Sequence, residues 1–198
     1  RIKMNDSYAL IICDCETTGL SPIKNDVIEI SMIRLTLNDK NEYDEEQKTW
    51  CLRPLDISTI EEEALAINKH ELNDLLHNTQ YGKDTYKEPS EVIIEIEKWI
   101  AEDGFSSVDS SQTFPFSLER NNRIIDTKEL AILVDICNNR RRLRYDLSGL
   151  VKAFGVKKGK AHRAAEDTKM TADLFVKIVK AVRGALREHF GDAYLKDE

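Results

Sequence analysis

The order of apolar runs along the chain predicts an α/β layer fold with a mixed central sheet flanked by helices. Strand-like runs come first, helical periods dominate the rest, and one strand-like run returns mid-chain. A length of 198 residues is that of a single domain, so residues 1–198 are read as one unit around one principal core.

Tyr8–Cys15 is a continuous apolar run and predicts a buried strand. Val27–Leu35 alternates in part and predicts a second strand, with Ser21-Pro22 and Asn25-Asp26 supplying the intervening turn. Thr49–Leu55 is the third, stopped around Pro54. The character then changes. Ser58–Glu63 has the form of a capped helix start, and Lys69–Leu76 continues in helical period. Gln80–Lys87 is the expected exposed loop. Pro89-Ser90-Glu91 opens a helix through Ile100, closed by Gly104, and Phe105–Val108 is the returning strand. Asp126–Glu129 forms a capping box for a helix to about Ile136, and Asp146–Phe154 is a short helix ended at Gly155. His162–Phe190 reads as one long helix with Ala165, Met170, Ala172, Phe175, Ile178 and Val182 on its apolar side.

Hydrophobic content of 41% and charged content of 33% exclude a disordered chain. No apolar run approaches bilayer length and no charged-then-apolar leader opens the chain, so the expectation is a cytoplasmic protein with no membrane partner. Cys13, Cys15, Cys51 and Cys137 show neither a CxxC pair nor zinc spacing and are read as reduced core thiols. A net charge of −7 argues against coating duplex nucleic acid through bulk positive charge. It leaves room for a nucleic-acid enzyme whose carboxylate-lined site is reversed in sign by bound cations. Arginines 140, 141, 142 and 144, followed by Lys152, Lys157, Lys158, Lys160 and Arg163, form a basic segment.

Chemistry concentrates in two stretches. In "DCETTGL", Asp14 and Glu16 stand two apart at the end of the first strand and so project from the same face. Two carboxylates held that close repel unless one protonates or a cation sits between them. Hard divalent ions prefer such oxygen donors. Gly19 then permits a tight turn and close approach to a ligand. A strand that simply runs out into solvent has the same look, so this stretch alone leaves both readings open. In "AHRAAEDTKMTADLF", His162 sits at or just before the long helix and Asp167 lies five residues on. A helical acid aimed at a metal, with the histidine held on the preceding loop, suits that spacing. A polar helix start and an exposed helical acid explain each residue taken separately.

Taken together, "DCETTGL" and the later "HRAAEDT" resemble the first and third signature motifs of DEDDh-type 3′–5′ exonucleases. This is the DnaQ-like group that includes the proofreading subunit of bacterial replicative polymerases. "DVIEIS", "ALAINKHEL", "RIIDTKELA" and "YDLSGLVKAFGV" resemble the family's intervening segments. The resemblance implies a ribonuclease H-like fold carrying two divalent ions, Mg²⁺ or Mn²⁺. It also implies Asp14, Glu16 and Asp167 as ligands and His162 as the general base toward the attacking water. Thr17, Thr18, Gly19 and Leu20 match positions that meet the substrate's 3′-terminal nucleotide, and Glu29 in "VIEIS" is read as structural.

The family carries one further acid in a middle motif. Within "GFSSVDSSQTFPFSLERNNRIIDT", matching on "VDSSQTF" gives Asp109 that role. Matching on "SSQTFPF" puts Pro115 there instead and leaves the site short of a ligand. Asp126 is a third candidate, although its capping box explains it. Asp109 is the preferred assignment. The expected function is therefore a metal-dependent 3′–5′ exonuclease acting on single-stranded 3′ ends and releasing nucleoside monophosphates, with DNA favoured over RNA. Candidate protein partners are a polymerase or a second copy of the chain. The alternative is a non-catalytic nucleic-acid-binding or scaffold module of the same fold.

Overall fold

The computed structural model describes residues 9–38, 40, 42–77, 80–81, 84–101, 125–142, 144–160 and 162–191. Three strands form an antiparallel sheet in the order β1-β2-β3: β1 (Ala9–Thr17), β2 (Val27–Leu37) and β3 (Tyr43–Cys51). The register pairs Ile12 with Ile33, Asp14 with Ser31 and Glu16 with Glu29, and slips between Glu16 and Thr17. Such an irregularity bends a strand and re-aims the residues beside it. Every ladder among the described strands is antiparallel, and a single bridge from Leu52 to Lys87 is parallel. The expected returning strand at 105–108 lies outside the described residues.

Helices cover both faces of this sheet. On one face Ile11, Ile30, Met32 and Trp50 pack against Val92, Ile96 and Trp99 of α3 (Pro89–Ala101). Trp50 and Trp99 meet edge to face at 5.9 Å, and the Arg34 guanidinium lies 4.3 Å from the Trp99 ring. On the other face Leu10, Ile12, Ile33 and Leu35 pack against Ala172, Phe175 and Val179 of the long helix α6 (Ala164–Phe190). The adjacent stripe of α6, Met170, Leu174 and Ile178, packs against Ala131 of α4 (Thr127–Cys137) and Leu150 and Val151 of α5 (Leu147–Ala153). Both α4 and α5 start where capping chemistry predicts: the Asp126 carboxylate accepts from Lys128 N and the Asp146 carboxylate from Gly149 N. Val182, expected on the apolar side, is 39% exposed.

Several boundaries differ from the sequence reading, each for a local reason. Tyr43–Lys48 belongs to β3 although it carries no apolar alternation. Its side chains are largely exposed, and backbone pairing to β2 supplies the order. The helix expected from Ser58 is a short 3₁₀ turn, Ile57–Thr59, capped by Asp56. Glu61 N is tied instead to Thr18 O (2.8 Å), which delays α1 to Glu62–Asn68. Lys69 then adopts φ 63°, the left-handed region, which breaks the predicted helix and starts α2 only at Leu72–His77. The supposed loop at 80–87 contains a small hairpin, β4 (Gln80–Tyr81) with β5 (Asp84–Thr85), and leads to the fully buried Tyr86. Tyr86 joins Ile28, Cys51, Leu65 and Leu75 in a cluster beneath the end of the sheet that bears the acids. Among the described residues no helix is long and apolar enough to cross a membrane.

The thiols also depart from expectation. Cys51 is buried, whereas Cys13, Cys15 and Cys137 are exposed. Cys13 and Cys15 alternate with Asp14 and therefore occupy the opposite face of β1 from the acids.

Candidate active site

Down the α6-facing side of the sheet the rows turn from apolar to polar. Ile12 and Ile33 form one row, Asp14 and Ser31 with Thr49 the next, and Glu16 and Glu29 with Cys51 the last. Small polar side chains at the second row let the first turn of α6 approach. Ser31 Oγ accepts from Gln47 Nε2 (3.1 Å) and lies 3.2 Å from Thr49 Oγ1. Gln47 Nε2 also reaches Ala165 O at 2.7 Å. The fully buried Thr168 hydroxyl lies 2.6 Å from Ala164 O and 3.3 Å from Ser31 O. These bonds fix the rotation and height of α6, and so place Asp167 over the strand acids.

Carboxylate oxygens of Asp14, Glu16 and Asp167 all lie within 4.8 Å of one another. Packing of this kind is unfavourable in the absence of a cation. Burial, then the nearby Asp167, pushes the Asp14 carboxyl up to about 6. Burial, then Asp14, Glu29 and Asp167, pushes Glu16 up to about 7, with Arg163 acting in the opposite direction. Burial also raises Asp167, opposed by the hydrogen bond it accepts from the His162 backbone. Three convergent hard oxygen donors of half-buried acids fit a divalent cation such as Mg²⁺ or Mn²⁺, and fit neither a soft metal nor a tetrahedral zinc set.

His162 sits two residues ahead of α6 rather than within it. Its φ of 64° is unusual for a residue with a side chain, and its N–H donates to Asp167 Oδ2 at 3.0 Å. The imidazole is exposed beside Asp167 and does not join the converging ligand atoms. Asp109 lies outside the described residues, as does Pro115. Asp126 caps α4 and is not part of the acid cluster.

The "TTGL" residues divide. Thr17 Oγ1 donates to Gly19 O at 2.6 Å. Thr18 is fully buried and clasps Asp26, its N–H donating to Asp26 O (2.8 Å) and its hydroxyl accepting from Asp26 N (2.9 Å), so the side chain shapes the loop. A Cβ at Gly19 would stand 2.5 Å from the side chains of Asn25 and Glu61, so the close approach that requires glycine is made within the fold. Leu20 is 95% exposed, which rules out a core role and leaves it available for contact. Within the basic segment, Arg142 is held by the buried Asp135 and lies over Phe154, and Arg144 pairs with Asp146.

Sequence reasoning passed over the surroundings of Glu29. This residue is 1% exposed, faces Glu16 across the ladder, is hydrogen-bonded to His70 Nε2 at 2.9 Å, and lies at ion-pair distance, 3.7 Å, from Arg163 Nε. An acid inside an otherwise apolar strand, as in "VIEIS", is the signal that a buried partner exists. The identity of that partner is a long-range fact.

Comparison with known proteins agrees with this geometry. The model of the RNase T exonuclease family matches residues 11–175. The PolC-type DNA polymerase III of Staphylococcus haemolyticus is 26% identical over 187 residues, and the same protein of Staphylococcus aureus is equally similar. Each match covers 87% of this chain and 11% of the relative, so the chain spans about a tenth of the length of these proteins. Among solved structures, the nuclease domain of 3′hExo, a DEDDh family member bound to rAMP, superposes with a TM-score of 0.64 at 15% identity, covering 89% of this chain and 94% of that one. Escherichia coli exonuclease I in complex with a dT13 oligonucleotide gives 0.62 at 15% identity, over 91% and 43% of the two chains. Cell-death related nuclease 4 gives 0.68 at 12%, over 87% and 64%. The shared architecture is the ribonuclease H-like fold, and the chain belongs to the RNase T exonuclease family.

Proposed function

We propose that the chain is a divalent-metal-dependent 3′–5′ exonuclease that removes nucleoside monophosphates from single-stranded 3′ ends. The observation that carries this reading is the convergence of Asp14, Glu16 and Asp167 oxygens at the N-terminus of α6. In this reading these acids hold two ions, Mg²⁺ or Mn²⁺, and Asp109 supplies the fourth carboxylate. When bound, the ions supply an activated water at neutral pH and relieve charge on the leaving oxygen.

The chain's own groups do the rest. The His162 imidazole takes the proton of the attacking water. The water oxygen ends on phosphorus, the P–O3′ bond breaks, the 3′ oxygen of the shortened strand takes up a proton from solvent, and the terminal nucleotide leaves as its monophosphate. Leu20 and Thr17 border the terminal nucleotide, while Thr18 and Gly19 hold the loop that presents them. DNA is the favoured substrate because the curated relatives carry DNA polymerase names. A polymerase, in the same chain or another, is the favoured partner on the same ground. A second copy of the chain is the alternative. Residues 1–198 act as one domain in this reading, in the cytoplasm.

A 5′-labelled single-stranded oligonucleotide, as DNA and RNA in parallel, tests it with Mg²⁺, Mn²⁺ or chelator. The expected result is a ladder shortening from the 3′ end, faster on DNA and abolished by chelator. Binding of the oligonucleotide without shortening under every metal condition overturns the enzyme reading in favour of a binding module. Faster shortening of RNA overturns the substrate preference.

A further inference from the structure

Behind the acid cluster lies a second set of buried polar groups that supplies none of the converging oxygens. Glu29 is 1% exposed, His70 4% and Tyr86 1%. His70 bridges the other two, with Nε2 at 2.9 Å from Glu29 Oε2 and Nδ1 at 2.6 Å from the Tyr86 hydroxyl. The tautomer with its hydrogen on Nε2 satisfies all three groups, with Tyr86 donating to Nδ1. From the open side Arg163 places Nε 3.7 Å from the same Glu29 oxygen. Asn68, 2% exposed, continues the set by donating to Thr17 O at 3.0 Å.

A buried carboxylate facing a neutral histidine is a poor stabiliser, because the hydrogen bond offsets only part of its desolvation. Here it is worse than neutral, since Glu29 adds negative charge directly opposite Glu16. What the carboxylate does offer is a fixed point for Arg163, the residue between His162 and α6. The turn it anchors is the one with unfavourable backbone geometry at His162, φ 64°, which persists only if its surroundings enforce it.

We infer that Glu29 is a positioning residue: held from behind by His70 and Tyr86, its carboxylate clamps Arg163 and thereby fixes the His162–Arg163 turn over the strand that carries Glu16. The inference builds on the exonuclease reading where it speaks of rate, and on geometry alone where it speaks of the turn.

The test uses the full chain and two near-isosteric or charge-removing variants, Glu29→Gln and Arg163→Gln. Two readouts are followed: the exchange rate of the His162 amide by NMR, and kcat and KM on a 5′-labelled single-stranded oligonucleotide with Mn²⁺. Each variant should speed His162 amide exchange at least about fivefold relative to parent. Each should lower kcat about tenfold or more with KM within about twofold, as expected of lost positioning. The double variant should be no worse than either single one, because both cut the same link. Mn²⁺ affinity should stay within about threefold. Unchanged His162 exchange in both variants overturns the inference, as do additive losses or a Glu29→Gln protein that no longer binds Mn²⁺. If Glu29→Gln fails to fold, Arg163→Gln alone decides by the same two readouts. A parent that cleaves no oligonucleotide sinks the nuclease reading, while the exchange measurement still decides whether Glu29 holds the turn.

Discussion

At the scale of single residues the site is a set of groups held against their own preferences. Asp14, with its carboxyl pushed up to about 6 by burial and by Asp167, is caught in this conflict. Replacing it by asparagine removes a charge from a repelling cluster, so the metal-free Asp14→Asn protein should melt at the parental temperature or slightly above. Each kcal/mol of relief raises Tm by roughly 2–4 °C in a chain of this size. Hydrolysis should be lost at the same time. A metal-free protein that melts several degrees lower would mark Asp14 as a structural residue. His162 is the opposite case, an exposed side chain on an enforced turn. His162→Ala should lower kcat about 10²–10⁴-fold with little change in KM, because a general base contributes in the transition state and little to binding. Near-parental kcat in the alanine variant would remove the imidazole from the chemistry.

At the scale of elements, α6 and β2 decide where Asp167 stands. Thr168 is fully buried, and its hydroxyl is shared between Ala164 O and Ser31 O, so it joins the first turn of the helix to the central strand. Thr168→Val keeps the shape and removes the bond. The expected cost is about 1 kcal/mol, a fall of roughly 2–4 °C in Tm, with a loss of kcat of a few fold as Asp167 drifts. A variant that melts normally yet is inactive, or the reverse, would uncouple the docking of α6 from the site.

The same elements show what sequence makes legible. Asp126 and Asp146 announce α4 and α5 because capping is a local bond within three residues. Asp14, Glu16 and Asp167 are readable only through the resemblance of two motifs taken together, because the local pattern of each stretch alone also fits a solvated strand end or helix start. The delayed start of α1 is not, since it depends on Glu61 N bonding Thr18 O more than forty residues earlier. Nor is Tyr43–Lys48, whose exposed polar side chains hide a strand ordered only by its neighbour. The thiols mislead for a related reason: an apolar run looks buried on both faces, but Cys13 and Cys15 lie on a face of β1 that leaves them exposed.

For the whole molecule, three acids with raised pKa values make stability depend on pH with a definite sign. A carboxyl whose folded pKa lies above its unfolded value stabilises the fold while protonated. That contribution is complete below the unfolded pKa, near 4, and is lost as pH rises through the folded one. With Asp14 raised to about 6, Glu16 to about 7 and Asp167 raised as well, the metal-free protein should lose stability between roughly pH 4 and 7. A divalent ion takes the place of the protons, and its binding releases them. The rise in Tm on adding saturating Mn²⁺ should therefore be small at pH 5 and grow steadily toward pH 8. Thermal melts at fixed ionic strength across that range, with and without Mn²⁺, measure both slopes. In Glu16→Gln the metal-free slope should flatten, because the group with the larger raised value no longer titrates. Should the Mn²⁺-induced rise be the same at pH 5 and pH 8, the ion is binding somewhere other than these acids, and the cluster is a repelling group that the fold tolerates for another reason.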